Sequence, residues 1–187
     1  MKKVTSENDK LTKYVAFLRG INVGGNNLIK MDDLKKIFES LGFKNVKTIL
    51  ASGNVVFETA KIKIPDLTKL ISGKLEKTLG YGIGIIVRSI EDIRKLANTD
   101  VFKNITVTPQ TRLYVTFLPE KSNSNLKIPY VSHDNNYKIL RSSETEVFSV
   151  LTVSPTVNTT DLMSVLDKEF GKKVTTRNWN TIEKILK

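Results

Sequence analysis

Two short segments of the chain combine glycine with side chains that can bind an anion. The first, RGINVGGNN (residues 19–27), offers the guanidinium of Arg19 beside a run of glycines and asparagines. The second, SGN (52–54), offers a hydroxyl and an amide. Backbone N–H groups in a glycine-rich loop near the start of a helix can hold a phosphate or a carboxylate. These residue types are therefore typical of an anion site.

Neither segment carries a known nucleotide-binding fingerprint. A Walker A loop requires G-x-x-x-x-G-K-[ST] and a dinucleotide loop requires G-x-G-x-x-G, and GINVGGNN matches neither. Asp32 and Asp33 open the next predicted helix, where they would repel a phosphate, although Arg19 and Lys30 partly offset them. The alternative interpretation is that the glycines and asparagines only shape turns, because these residues favour turns for local reasons.

A third polar motif, TTRNWNT (175–181), lies close to the C-terminus. Arg177 and Asn180 are candidate ligands for a phosphate or a carboxylate, with Trp179 as a stacking wall, since arginine suits bidentate contacts. The alternative is a helix that is capped by a polar residue of the motif and anchored by Trp179 on its inner face.

Several kinds of chemistry are disfavoured by composition. The chain has no cysteine and one histidine, His133, which excludes thiolate zinc sites, thiol nucleophiles and multi-histidine metal sites. Ser132, His133 and Asp134 are consecutive, so in an extended segment their side chains alternate and cannot form a catalytic relay. The strand that would carry RNA-stacking aromatics has one, Phe57. We therefore predict no metal, no cofactor and no nameable catalytic residue.

The charge of the chain favours anionic partners. Its formal net charge is +11, and residues 14–89 hold 12 basic and 6 acidic side chains. Such an excess attracts nucleotides, phosphorylated metabolites or a nucleic acid backbone. A lysine-rich surface that is merely solvated is the alternative, since lysine is mostly exposed.

The elements that position the first two segments follow from hydrophobic spacing. Strands are predicted at 14–20, 46–51, 55–59 and 82–89, and amphipathic helices at 31–43 and 64–80. The order βαββαβ is the ferredoxin-like arrangement. In that topology the end of the first strand and the turn between the second and third lie at one edge of the sheet. The residues brought together there are Arg19, Asn22, Gly24, Gly25, Asn26, Asn27, Ser52, Gly53 and Asn54.

The second half of the chain reads as a degenerate copy of the first. YVTFL at Tyr114 echoes YVAFL at Tyr14. A linking helix (90–98), three strands (112–118, 136–142 and 146–153), a helix (160–171), a short strand at KVTT and a terminal helix (178–187) complete the chain. We therefore predict an α+β protein with a flexible tail (1–13), a first ferredoxin-like half (14–89), and a linking helix plus a degenerate second half with an extra C-terminal helix (90–187).

Three motifs, LRGINVGG, SGNVVF and TTRNWNT, occur in an order that resembles the bacterial domain-of-unknown-function family 1697. The resemblance implies a two-part α+β protein built on ferredoxin-like halves. It implies no catalytic residue, because the biochemical function of that family is not established. Ala51 departs from the family pattern, which often has a glutamine or a similar polar residue before SGNV.

The sequence therefore predicts a non-catalytic cytoplasmic module that binds an anionic ligand, with a nucleotide or phosphorylated metabolite preferred over nucleic acid. One alternative is an enzyme on a phosphorylated or carboxylated small molecule, with Arg19 or Arg177 as the anion clamp. Another is a protein-interaction module, including a homodimer through spare sheet edges. No apolar run approaches the ~20 residues of a membrane span, so no membrane partner is predicted.

Overall fold

The computed structural model describes residues 11–25, 27–121 and 124–187, and within these ranges it has nine strands and five helices. The strands are β1 (Thr12–Leu18), β2 (Lys44–Ile49), β3 (Asn54–Thr59), β4 (Ile85–Ser89), β5 (Thr111–Phe117), β6 (Tyr130–Val131), β7 (Tyr137–Ser142), β8 (Glu146–Thr152) and β9 (Thr175–Asn178). The helices are α1 (Met31–Glu39), α2 (Ile64–Leu79), α3 (Ile90–Ala97), α4 (Thr160–Phe170) and α5 (Trp179–Leu186). The sequence pattern predicts every element except β6. Residues 1–10 of the predicted tail (1–13) lie outside the described residues, and β1 begins at Thr12.

The described residues form two compact units. Unit 1 comprises the residues up to Leu96 together with Ile185–Lys187, and unit 2 comprises Ala97–Lys184. Each unit contains one sheet in which all neighbouring strands are antiparallel.

The sheet of unit 1 has the strand order β2-β3-β1-β4. Since β3 runs antiparallel to both β1 and β2, those two strands share one direction. The carboxyl end of β1 and the β2–β3 turn therefore lie at the same edge of the sheet, as the topology predicts. Lys44 and Lys47 are exposed on the outer strand β2, which protects that edge from pairing with another chain.

The core of unit 1 lies between this sheet and helices α1 and α2. Leu34, Ile37 and Phe38 recur at helical spacing along α1 and are buried. The rings of Phe43 and Phe57 stack with their centroids 4.5 Å apart, and Phe38 meets Phe57 edge-on at 5.4 Å. This aromatic packing fixes the helix layer on the sheet whose edge carries the candidate site.

The sheet of unit 2 has the order β6-β7-β8-β5-β9. If the two-residue strand β6 is set aside, the second, third, first and last strands of the unit lie side by side, as they do in unit 1. Between β5 and β7 the described residues contain β6 and irregular chain where unit 1 has a helix. Helix α4 packs through Leu162 and Leu166 onto the sheet. The protein is therefore a mixed α/β chain with two antiparallel sheets.

Candidate functional site

A single asparagine joins the loop after β1 to the β2–β3 turn. The side chain of Asn22 donates to the carbonyl oxygens of Ile29 at 3.0 Å and Ala51 at 2.9 Å, and its Oδ1 accepts the N–H of Ile29 at 2.9 Å. Asn22 has a φ of +53°, a conformation that asparagine tolerates better than most residues. We call these three hydrogen bonds the Asn22 latch, and we call residues 19–25, 27–30 and 50–54 together the loop edge.

The β2–β3 turn is held against the end of β1 by a backbone hydrogen bond and by close packing. The N–H of Leu18, the last residue of β1, donates to the carbonyl of Gly53 at 2.8 Å. Gly53 is buried with a φ of +75°, and a methyl group placed on it would lie 2.6 Å from Cδ1 of Ile21. Asn54 is fully buried, and its Nδ2 donates to the carbonyl of Ile49 at 2.8 Å and to Oγ of Ser52 at 3.2 Å.

The remaining polar residues of the first loop also serve its shape. Nδ2 of Asn27 donates to the carbonyl of Gly20 at 3.2 Å, and the carbonyl of Asn27 accepts the N–H of Asn22 at 3.3 Å. Gly24 and Gly25 are exposed with φ of +59° and +78°. The predicted ligand Asn26 lies outside the described residues. The amides of Asn22, Asn27 and Asn54 are thus engaged within the loop edge itself.

The polar groups at the surface of the loop edge include a half-buried guanidinium, a hydroxyl and exposed backbone. Arg19 is half-buried, and its backbone N–H donates to the carbonyl of Gly84 at 2.8 Å. Its side chain packs against that glycine, since a Cβ built on Gly84 would lie 3.3 Å from Cβ of Arg19. Ser52 is exposed, as is the backbone around Gly24 and Gly25. None of these groups belongs to the Asn22 latch.

The charge of the loop edge has one sign. It contains Arg19 and Lys30 and no aspartate, glutamate or histidine. Asp32 and Asp33 follow in the first turn of α1, and a carboxylate oxygen of Asp33 lies 3.7 Å from Nζ of Lys36. That exposed pair reduces the repulsion which the sequence predicts between α1 and a bound anion.

Sequence reasoning did not identify three exposed aliphatic side chains at this edge. Val23 is 61% exposed, Leu28 is 71% exposed and Leu50 is 45% exposed. Leu50 also has a φ of +60°, an unusual conformation for a leucine. The signal in the sequence is an aliphatic residue inside a segment otherwise made of turn residues.

The C-terminal motif lies in unit 2, and its arginine is buried. Arg177 is 8% exposed in the middle of β9, and its Nη1 donates to Oγ1 of Thr175 at 2.8 Å and to the carbonyl of Thr176 at 2.9 Å. Burial lowers the pKa of the guanidinium to about 10. Of the two interpretations of this arginine, its burial favours a structural role over a solvent-facing clamp.

The rest of that motif caps and anchors α5. Oδ1 of Asn178 accepts the N–H of Asn180 at 3.0 Å, as an N-capping side chain does. Asn180 itself is exposed. Trp179 packs edge-on against Phe102, with ring centroids 5.0 Å apart, and lies 6.3 Å from the ring of Phe148.

The Ser132-His133-Asp134 segment forms a local turn. Oγ of Ser132 donates to Asp134 at 2.7 Å and accepts the N–H of Tyr137 at 3.1 Å. The hydroxyl of Ser132, followed by the N–H of Asn136, lowers the pKa of Asp134. His133 is exposed, and the hydroxyl of Ser132 donates to a carboxylate whose lowered pKa makes it a weak general base.

The described residues hold no group of three or more histidine or acidic side chains that could bind a metal ion. No helix among them has the length and apolar character required to cross a membrane.

The fold and the loop edge together define a mixed α/β protein that presents one candidate binding site on its first sheet. The chain belongs to the family described as "Protein of unknown function (DUF1697)", whose model matches residues 11–148. The motif TTRNWNT follows the matched range. The resemblance to this family that the motifs indicate is therefore confirmed.

One solved structure with a similar fold is the conserved bacterial protein SP0830 from Streptococcus pneumoniae. The TM-score is 0.71 at 22% sequence identity, over 94% of this chain and 97% of that one. At this identity the likeness shows the fold alone. No curated protein matches the sequence.

Proposed function

We propose that the chain is a non-catalytic cytoplasmic module which binds a nucleotide or a phosphorylated metabolite at the loop edge. The Asn22 latch carries this proposal. It holds two loops in one arrangement before any ligand arrives, so little ordering entropy is lost when an anion binds. Arg19, the hydroxyl of Ser52 and the N–H groups around Gly24 and Gly25 supply the donors that a phosphate requires.

Binding is favoured over catalysis because the loop edge has no carboxylate and no imidazole. General acid–base catalysis requires a proton-transferring side chain within hydrogen-bond reach of the reacting atoms. The groups described above are donors and a fixed cation, which bind an anion but do not turn it over.

A small anion is favoured over nucleic acid because the exposed side chains of the loop edge include no aromatic residue among the positions described. Single-stranded nucleic acid binders stack bases on aromatic rings, and Val23, Leu28 and Leu50 provide no such platform. A phosphate group alone is satisfied by the cation and the N–H donors.

We also propose that each unit is a ferredoxin-like half. The supporting observation is the shared order of second, third, first and last strand in the two sheets. In the second half the first helix of the βαββαβ pattern would be replaced by the segment that contains β6, and α5 would be the additional terminal helix.

The test is a titration of the ¹⁵N-labelled protein with pyrophosphate and with ATP at ~20 mM salt, where ionic contacts are weakly screened. We expect saturable chemical-shift changes at the amides of Gly20, Gly24, Gly25 and Ser52. Arg19→Gln is expected to weaken binding at least tenfold, which is the loss of about 1.4 kcal/mol, a charge-assisted contact.

Arg141→Gln is the matched control, because Arg141 is an exposed arginine of β7 in unit 2 and its substitution removes the same charge. It should leave the affinity unchanged. Equal weakening by both variants would assign the binding to net charge and refute a site at the loop edge. Tighter binding of oligonucleotides than of ATP, with the same shifted amides, would replace the small anion by a nucleic acid backbone.

A further inference from the structure

The loop edge exposes three aliphatic side chains that a purely ionic site does not require. Val23, Leu28 and Leu50 are each the immediate chain neighbour of a latch residue, respectively Asn22, Ile29 and Ala51. The latch therefore holds the backbone next to each of the three positions in one arrangement. Scattered exposed aliphatic residues are ordinary, whereas a fixed group of them beside a cationic site marks an interaction surface.

A groove opens beside Leu28. Its volume is about 500 Å³, which lies in the range of small-molecule sites. The less exposed of its lining residues, Ile29, Ile37 and Leu79, are all apolar, and Leu28 lies at its exposed side. The groove can therefore shelter an aliphatic chain from water.

Of the charged residues that line the groove, two form an ion pair with each other and one lysine makes no ion pair with another described residue. A carboxylate oxygen of Asp33 lies 3.7 Å from Nζ of Lys36. Lys30 also lines the groove and makes no ion pair within the part of the chain that the structure describes. Since Leu28, Ile29 and Lys30 belong both to the groove and to the loop edge, the apolar and the cationic surfaces are continuous.

We propose that the ligand of the loop edge is an amphiphilic anion, a soluble phosphate monoester whose aliphatic chain lies in the groove over Leu28. This inference rests on the proposed function and specifies the class of ligand. A symmetric dimer through this surface is disfavoured as the occupant, because it would bring two cationic edges together. An aliphatic chain fits the exposed side chains, and the phosphate complements Arg19 and Lys30.

The experiment measures binding of inorganic phosphate and of ethyl, butyl, hexyl and octyl phosphate, each below its micelle concentration, by the same amide shifts. We expect affinity to rise with every added methylene, by up to about fourfold when the methylene is fully buried. The rise should stop once the groove is filled.

Two variants separate the apolar contact from the ionic one. Leu28→Asn should flatten the dependence on chain length, measured as the ratio of the affinity for octyl phosphate to the affinity for inorganic phosphate. Arg19→Gln should lower the affinity of every ligand by one common factor and keep the dependence on chain length. Leu70→Asn is the matched control, because Leu70 is 44% exposed on α2 and does not line the groove.

Each outcome decides between the claims. Binding of phosphate with no effect of chain length would overturn the amphiphile and leave the proposed function standing. Absence of binding across the whole series would overturn both. A chain-length effect that Leu28→Asn and Leu70→Asn alter equally would refute the groove. Leu28-dependent sedimentation with anionic phospholipid vesicles, without binding of the soluble esters, would overturn the soluble ligand in favour of a lipid surface.

Discussion

Replacing Gly53 by alanine tests the physical basis of the loop edge most directly. The residue has a φ of +75°, and a methyl group on it would lie 2.6 Å from Cδ1 and 2.7 Å from Cγ1 of Ile21, and 3.0 Å from Cβ of Leu18. Ile21 and Leu18 are themselves buried, and Cβ of Leu18 is fixed by the backbone of β1. The methyl group therefore has no space unless the turn separates from the sheet.

The magnitude follows from two contributions. A left-handed conformation costs an L-residue about 1–2 kcal/mol, and overpacking of a close-packed site costs about 1–3 kcal/mol. We therefore expect Gly53→Ala to lower the free energy of unfolding of unit 1 by about 2–5 kcal/mol. This is a large part of the total stability, since domains are stable by only about 5–15 kcal/mol.

Gly25→Ala is the matched control. Gly25 has nearly the same φ, +78°, and nothing lies within 4 Å of an added Cβ. Both substitutions also gain the same small stabilisation from a less flexible unfolded chain. The difference between the two variants therefore isolates the steric contribution, which we expect to be about 1–3 kcal/mol.

The measurement combines urea unfolding by far-ultraviolet circular dichroism with amide hydrogen exchange of β1 and β3. Exchange is required because circular dichroism averages over both sheets, whereas the amides of β1 and β3 report on the first sheet alone. We expect Gly53→Ala to accelerate exchange of the N–H of Leu18, which donates to the carbonyl of Gly53. Equal destabilisation by the two glycine variants would refute the steric argument.

Three further changes have defined outcomes. Asn22→Ala removes the latch hydrogen bonds to Ile29 and Ala51 and should lower the unfolding free energy by about 1–3 kcal/mol; unchanged stability and exchange in that loop would contradict the latch. Ser149→Ala should raise stability by about 1 kcal/mol in urea unfolding, because Oγ of Ser149 is buried without a hydrogen-bond partner among the described residues, and a loss of stability would show that a partner exists. Burial, followed by charge interaction with a neighbouring phenol, raises the pKa of Tyr137 to about 12. Above about pH 10 the phenol of Tyr137 loses its proton in the unfolded chain but keeps it in the folded state, so the free energy of unfolding should fall between about pH 10 and pH 12. Tyr137→Phe should remove the phenolate absorbance step that occurs at the highest pH.

Much of the fold follows from local pattern, and the part that does not is set by tertiary pairing. The helical spacing of Leu34, Ile37 and Phe38 and the continuous apolar run Tyr14–Leu18 identify elements whose burial is visible in sequence. Strand β6 has two residues, and it exists because Tyr130 and Val131 pair with Ile139 and Lys138 across the turn at residues 132–136. A stretch that short carries no periodicity to detect.

One part of the candidate site likewise follows from the sequence, and another part does not. The topology alone predicts that the loop after β1 meets the SGN turn, and the bond from Asn22 to Ala51 confirms that they meet. The direction in which each amide points is not encoded in local pattern, because it depends on where the backbone carbonyls lie. Arg177 is an example of a side chain whose position local pattern does not predict. It pairs with Val115, a fully buried residue, so this charged side chain lies on a buried face of the sheet and not on a solvated one.

The two interpretations of the glycine- and asparagine-rich loop are therefore complementary. The amides of Asn22, Asn27 and Asn54 donate to backbone carbonyls of the loop edge and of the adjoining Ile49, which is the turn-shaping role. Because these amides are engaged, the proposed ligand would be recognised by other groups, namely Arg19, the N–H groups of the loop and the neighbouring aliphatic side chains. Loss of Asn22 should thus weaken ligand binding and stability together, whereas loss of the charge of Arg19 should weaken binding more than stability. That separation distinguishes a preorganised binding site from a pair of turns.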